Sequence, residues 1–465
     1  MTPSMNYSSP NRVQTETIQQ PISFARRIDL VLLGLLFSFI LLYRLQLVAG
    51  WITVFRVREV LYAFLYIRVF LFCRPRMTKI LFLVLLYLGY CLFVGIHTFY
   101  LYGAEMAISG FMRFVNVALL APLAAIMITH KQQLKIFIKI WLAVAYLGAI
   151  SGIYQFMGGD LFAITEGYKH FRGESIRYMT LLGEPNIGGM ASPIVLLAAV
   201  YVLRNPIWKI ITAVVSIVLL FLSVSKAGLA GITLAIFLIV YYEYKKTGHL
   251  IGKKLVRNMM YSISLICLGV VIFLIISINN PVIMEKIQEY SRTAITAVIG
   301  GGDRVDISPS LVDDLLTRVF TMTLDGIEIA KRESSFYPFN AMFGSSFGIA
   351  GTAAEELRGQ DSVITPHNGF SEIYFVGGIL MLFLFLVILF FVFRRLWWLA
   401  KGDNLFTALL AIFIICVAFT ISYPIMSNIF AGSLFWIAIG VAANRSIARE
   451  EFYSKDNDYE LSPLI

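Results

Sequence analysis

The sequence has little charge. Asp, Glu, Lys and Arg make up 14% of its 465 residues, against about 25% in a typical soluble protein. Apolar residues make up 58%, and the mean hydropathy is +0.79. Apolar runs of about 20 residues recur, the length that crosses a hydrocarbon core about 30 Å thick. Because these runs are continuous, they lack the alternation of a membrane β-barrel. The sequence therefore predicts an all-α integral membrane protein.

Cysteine is also scarce, and several nucleotide and metal motifs are missing. The four cysteines lie in or beside apolar runs, with neither metal-ligand spacing nor a disulfide framework: Cys73, Cys91, Cys267 and Cys416. There is no glycine-rich ATP loop, no HExxH, and no Asp-x-Asp in the segments predicted below to lie outside. We therefore expect chemistry without metal or cofactor.

We predict twelve membrane spans from the apolar runs. No cleavable signal peptide is evident, since the first 25 residues are polar and the first run follows Arg26-Arg27. The predicted spans are 29–46, 55–73, 79–101, 107–128, 135–157, 187–204, 207–224, 227–243, 256–278, 370–393, 404–422 and 425–443. The second contains Arg56, Arg58 and Arg68, so the first two are alternatively one span plus an interfacial segment.

Basic residues orient these spans. With a cytoplasmic N-terminus, each even-numbered span ends in a segment rich in Lys or Arg, as the positive-inside rule requires. The net charge of +10 then reflects cytoplasmic loops and does not indicate nucleic acid as a partner. The predicted organisation is a tail over 1–28, helices 1–9 over 29–278, a large outer loop over 279–369, helices 10–12 over 370–443, and a tail over 444–465.

Two segments are predicted outside: the connection 158–186 and the large loop. From Asn279 to His367 the loop has 12 acidic and 7 basic residues, opposite in sign to the cytoplasmic loops. Loops beyond about 12–15 residues without structure of their own are uncommon unless functional. Apolar spacing predicts a helix over about 311–332, and Gly344 to Gly351 is predicted to be a turn or loop. We therefore expect a partly helical functional loop between helices 9 and 10.

Four chemically capable side chains gather on this outer face: Arg177, Lys226, Arg318 and His367. Each has an ordinary structural interpretation. Arg177 could snorkel to headgroups, Lys226 could be a helix-end cation, Arg318 could pair with Asp314, and His367 could mark the start of the tenth span. Together, however, arginine forks suit phosphate, and histidine suits proton transfer near neutral pH. Pro185-Asn186, opening the sixth span, would add free N–H groups for an anion.

Three segments resemble motifs of one bacterial family. Arg177 precedes Pro185-Asn186 by eight residues, and Arg318 precedes a Gly-rich stretch around Gly344. The third segment is His367-Asn368, followed by Glu372 and Gly377-Gly378. In this order, over roughly residues 80–440, the chain resembles the O-antigen polymerase/ligase family of membrane glycosyltransferases, which has about twelve spans and one large periplasmic loop. Two positions depart from that pattern. Lys226 stands where the family often has Arg, and Thr180 where it usually has Gly.

The resemblance implies a glycosyltransferase of the bacterial inner membrane with its active face in the periplasm. Its substrate would be a polyprenyl-diphosphate-linked glycan within the lipid bilayer, with a flippase and a chain-length regulator as further candidate partners. Arg177, Arg318 and His367 would be catalytic, and Asn368, Asn186, Lys226 and Glu372 would bind substrate. A repeat-unit polymerase for exopolysaccharide, capsule or O-antigen is the main expectation. The alternatives are an O-antigen ligase acting on lipid A-core and a lipid-linked sugar transporter.

Overall fold

The structure is a computed structural model. It describes residues 24–41, 54–72, 77–157, 170–172, 175–177, 180–182, 185–223, 225–247, 337–348, 368–401, 403–423 and 428–447. Its helices are α1 (Phe24–Leu41), α2 (Val54–Phe72), α3 (Lys79–Tyr102), α4 (Ala104–Val115), α5 (Leu120–Met127), α6 (Lys131–Phe156), α7 (Pro185–Tyr201), α8 (Pro206–Ser223), α9 (Lys226–Thr247), α10 (Tyr337–Phe343), α11 (Gly369–Leu399), α12 (Asn404–Thr420) and α13 (Ile429–Ala443). Two strands, β1 (His170–Arg172) and β2 (Ser175–Arg177), pair antiparallel.

The prediction of a helical protein is confirmed for the described residues, apart from this small hairpin. Five helices are long and apolar enough to cross a membrane: Lys79–Tyr102, Lys131–Phe156, Pro206–Ser223, Ala227–Lys245 and Gly369–Leu399. Helices occupy eleven of the twelve predicted positions, although several are shorter than a full span. The ninth predicted span, 256–278, and the predicted loop helix, 311–332, lie outside the described residues.

The first two helices form a hairpin. Asp29, early in α1, pairs with Arg68, late in α2, so the two helices are antiparallel. Arg58 is 1% exposed, and its two terminal nitrogens lie 3.0 Å from the side-chain oxygen of Asn116 when that amide faces the guanidinium. Of the arginines that weakened the prediction of the second span, Arg68 is therefore in an ion pair and Arg58 is buried against Asn116.

The predicted span 107–128 is not one regular helix. It consists of α4 and α5 joined by a turn over residues 116–119, where the N–H groups of Leu120 and Ala121 bond three residues back. In this 3₁₀ turn the N–H of Leu120 bonds Val117 O, so the carbonyl of Asn116 lacks the donor that it would have in an α-helix. The Tyr62 hydroxyl donates to that carbonyl at 2.5 Å, and Tyr66 donates to Leu119 O at 2.7 Å. The interrupted backbone is thus satisfied by side chains of α2, as a lipid environment requires.

Hydrogen bonds place several predicted cytoplasmic segments at one end of the bundle, here called the Asp403 end. Thr78 donates to Ala443 O at 3.0 Å, Asn444 Nδ2 to Ile128 O at 2.8 Å, and Lys131 Nζ to Asp403 at 2.8 Å. Lys245 Nζ lies 4.4 Å from the ring centre of Trp397, near the end of α11. Five of the six predicted basic segments therefore lie together, which agrees with the predicted chain directions.

The ion pair at this end gives a pH-dependent test. Burial raises the pKa of Asp403, but the hydrogen bond and charge of Lys131, with the N–H groups of Leu405 and Phe406, outweigh burial and hold it below its ordinary value. Since the folded-state pKa is depressed, the stabilisation is present above about pH 4 and is lost as the pH falls below that. We expect Asp403→Asn, which retains a helix-capping oxygen, to lower unfolding free energy by less than about 1 kcal/mol at pH 7.

Thermal unfolding in detergent between pH 7 and pH 3 checks this. The unfolding temperature of the wild type should exceed that of Asp403→Asn at pH 7, and this difference should shrink on acidification. A difference in unfolding temperature that grows towards low pH would contradict the assignment of the ion pair.

Candidate functional site

The helix that follows His367-Asn368 folds back on itself. Gly378, inside α11, has φ 70° and ψ −172°, a region that is essentially restricted to glycine. The rings of Phe370 and Phe385 are centred 6.3 Å apart, whereas 15 residues of straight helix would separate them by about 22 Å. Residues 369–377, here called the half-helix, therefore lie beside the first turns of residues 379–399. The continuous span predicted at 370–393 is wrong at this point.

This reversal places the start of the half-helix inside the bundle. Residues 379–399 alone rise about 31 Å, enough to cross a hydrocarbon core. The start of the half-helix is level with Phe385, about 10 Å along that helix from Gly378. Asn368 and Glu372 are each 5% exposed. The sequence predicts them at the start of the tenth span, where the large loop meets the helix, and the structure buries both in the helix bundle.

Asn368 has a structural role that the sequence did not reveal. Its side-chain oxygen accepts from the N–H groups of Phe370 at 2.9 Å and Ser371 at 3.4 Å, as an N-cap. Its Nδ2 group is the donor that this side chain offers to a substrate. Glu372, one turn further along the half-helix, is buried as well. Both side chains therefore face the interior of the protein.

The last carbonyls of the half-helix are satisfied from outside it. Ser345 N donates to Phe375 O at 2.9 Å and Ser346 N to Val376 O at 3.3 Å. The Tyr90 hydroxyl donates to Gly377 O at 3.0 Å and to Phe343 O at 3.2 Å. These three donors explain how a helix can end within an apolar bundle, where an unpaired carbonyl is costly.

The segment 344–348 lies between α3, α4 and the half-helix. It has no helical or strand structure, as predicted for the turn that begins at Gly344. Phe347 is 2% exposed; its N–H donates to Thr98 Oγ1 at 3.0 Å, and its ring lies against Phe114. Ser346 is buried with φ 90°, an uncommon conformation outside glycine that often accompanies functional sites.

A second group of predicted residues lies where α7 and α9 begin. A Cβ added at Gly228 of α9 would meet the Cα and carbonyl oxygen of Gly189 of α7 at 2.9 Å, so the two backbones touch near their N-termini. Asn186 lies in the first turn of α7, and Lys226 is the first residue of α9. The structure thus brings Asn186 and Lys226 to adjoining helix starts.

The electrostatics of these helix starts favour an anion. Each helix N-terminus carries about half a positive charge. Of Lys226, the first residue of α9, only the backbone is described. Neither first turn contains an acidic residue, and Glu184, just before α7, lies outside the described residues. Ser225 Oγ accepts from Gly228 N at 3.1 Å and caps α9. The arrangement suits a bound phosphate or diphosphate.

The segment leading into α7 is anchored to α6. Arg177 is the last residue of β2, and only its backbone is described. Leu181 N donates to Ser151 Oγ at 2.8 Å, and the Leu182 side chain packs on Gly148. Thr180 is buried, and its methyl group lies against Gly152. Thr180, one of the two departures noted in the sequence, therefore fits against a glycine on the facing helix.

The predicted site residues therefore form two described groups: Asn186 with Lys226, and Asn368 with Glu372. Helix α12 packs against α7, α9 and α11, the three helices that carry these residues. Arg318 and His367 lie outside the described residues. Within the described part of the chain, no group of three or more His, Cys, Asp or Glu side chains could hold a metal ion.

Sequence reasoning missed Tyr90, Thr98 and the backbone of Ser345 and Ser346 as supports of this region. The Gly377-Gly378 pair in an apolar run could have pointed to this region, because it indicates a close backbone contact. It does not show which segment of the chain makes that contact. No protein-family model matches the chain, and no curated protein matches its sequence. The resemblance stated above therefore rests on the motifs alone.

Proposed function

We propose that the chain is a polysaccharide polymerase that joins polyprenyl-diphosphate-linked repeat units at the outer face of a bacterial inner membrane. The main observation in support of this proposal is the contact between the starts of α7 and α9. This contact places Asn186 and Lys226 at two adjoining positive helix ends. A diphosphate is the ligand chemistry that such an arrangement favours. In this proposal the chain has twelve spans, with 256–278 as the ninth, and the Asp403 end faces the cytoplasm.

The proposed reaction is an inverting glycosyl transfer. An acceptor sugar hydroxyl attacks the anomeric carbon of the donor, a new carbon–oxygen bond forms, and the bond to the lipid diphosphate breaks. His367 takes the acceptor proton as general base. Arg177 and Arg318, with Lys226 and the helix starts, stabilise the charge that develops on the leaving diphosphate. Asn368 donates to the substrate through Nδ2, while its oxygen caps the half-helix.

The direct test uses purified protein in lipid vesicles with a polyprenyl-diphosphate-linked repeat unit and EDTA. The proposal predicts longer lipid-linked glycans and release of polyprenyl diphosphate. Product only when a separate lipid A-core acceptor is added would identify a ligase. Complete loss of transfer with EDTA would contradict metal-independent chemistry.

A second candidate is a lipid-linked sugar transporter, which one observation favours. Transporters often bind substrates on interrupted helices deep in the membrane. Here α11 reverses at Gly378, and the start of the half-helix lies inside the bundle. Movement of the substrate across the vesicle membrane without any new glycosidic bond would support this reading over the polymerase.

Lys226 offers a test of diphosphate binding. We expect Lys226→Ala to raise the donor KM about 10- to 150-fold, since a charge-assisted contact of about 1.5–3 kcal/mol is lost. Lys226→Arg should retain binding, because the charge remains and the guanidinium adds a planar fork. Initial rates at varied donor concentration measure both. An unchanged KM in Lys226→Ala would remove this residue from the donor site.

A further inference from the structure

The side chain of Tyr90 links the reversal of α11 to the end of α10. Among the described residues, the hydrogen bonds to the last three carbonyls of the half-helix come from two backbone N–H groups and from Tyr90. The Tyr90 hydroxyl hydrogen is shared between Gly377 O at 3.0 Å and Phe343 O at 3.2 Å. Tyr90 thereby ties α3, the end of α10 and the end of the half-helix at one point.

The half-helix acts as a short lever from that point. Its nine residues rise about 13 Å from Gly377 to Asn368. A tilt of about 10° at Gly378 would therefore move Asn368 by about 2 Å. Displacements of about 1 Å in a reacting geometry can lower a rate about a hundredfold. Small changes at Tyr90 are thus amplified at the far end, where Asn368 and Glu372 lie buried.

We propose that Tyr90 is a positioning residue for the transfer reaction: its hydroxyl fixes the tilt of the half-helix that carries Asn368 and Glu372. This inference rests on the proposed function. Tyr90 itself touches no reacting atom in this account and acts through the carbonyls of Gly377 and Phe343.

Tyr90→Phe tests it, because that variant removes only the hydroxyl. Tyr66→Phe is the matched control: it also removes a hydroxyl bonded to a backbone carbonyl, that of Leu119, in the turn between α4 and α5. Both variants are purified and reconstituted with the lipid-linked repeat unit. We expect Tyr90→Phe to lower kcat at least about tenfold, with the donor KM changed less than about twofold. Tyr66→Phe should keep both constants near wild type.

Hydrogen–deuterium exchange supplies a readout that does not depend on the reaction. In Tyr90→Phe, the amides of 370–377 and of Ser345 and Ser346 should exchange faster, and in Tyr66→Phe they should not. Unchanged exchange there, or equal losses of kcat in both variants, would overturn the proposal. If the wild type transfers no glycan, the proposed function fails, and the exchange measurement decides separately whether Tyr90 holds the half-helix.

Discussion

His367→Ala is expected to reduce glycan polymerisation by at least about a hundredfold, since general-base catalysis typically contributes 10²–10⁴-fold. The donor KM should change little, because the proposed donor contacts come from Arg177, Arg318 and Lys226. The measurement is the initial rate of chain extension by purified protein in vesicles. At high pH, the residual rate of the variant should rise as hydroxide replaces the missing base.

The matched control is His97→Ala, the same substitution on α3 at a half-buried position outside the proposed site. It should extend chains at the wild-type rate. If His367→Ala also does so, His367 has no part in the chemistry, and another group must take the proton from the acceptor hydroxyl.

Gly378→Ala and Gly344→Ala are expected to prevent correct folding. A Cβ at Gly378 would lie 2.3 Å from Met342 O, and one at Gly344 would lie 2.1 Å from Val376 O. Both glycines have positive φ, 70° and 92°, which costs a residue with a side chain about 1–2 kcal/mol. Overpacking against backbone adds about 1–3 kcal/mol more. Together these two costs amount to a large part of the free energy of unfolding of a typical protein.

Size-exclusion chromatography and thermal unfolding in detergent check this, with Gly89→Ala as the control. Gly89 lies on an exposed face of α3, and a Cβ there would meet nothing within 4 Å. The control should match the wild type, while both test variants should aggregate or unfold at lower temperature. Wild-type behaviour of Gly378→Ala would mean that α11 does not reverse at that residue.

Much of the helical pattern could be predicted from the sequence, because continuous apolar runs define helices whatever their partners. Pro185 and Lys226 begin α7 and α9, within two residues of the predicted starts. The breaks could not be predicted in this way. Asn116 to Leu119 reads as ordinary helix, and the tightening there depends on Tyr62 and Tyr66 from a helix about 50 residues earlier.

The site was predictable only in its residue types. Asn186 and Lys226 were named from motifs, but their proximity depends on contact between Gly189 and Gly228, and small residues signal close approach without identifying the partner. The Gly377-Gly378 pair was noted, yet the reversal also needs the N–H groups of Ser345 and Ser346, some 30 residues earlier. Such long-range backbone contacts leave no trace in local hydropathy.

The central claim is that this chain extends lipid-linked glycan. The most direct measurement deletes its gene in the native host and compares the lipid-linked glycans by gel electrophoresis, with wild-type and His367→Ala genes returned separately. The account predicts single repeat units accumulating on the carrier, with long chains restored by the wild type alone. Long chains still made but left on the carrier would contradict polymerisation and identify a ligase.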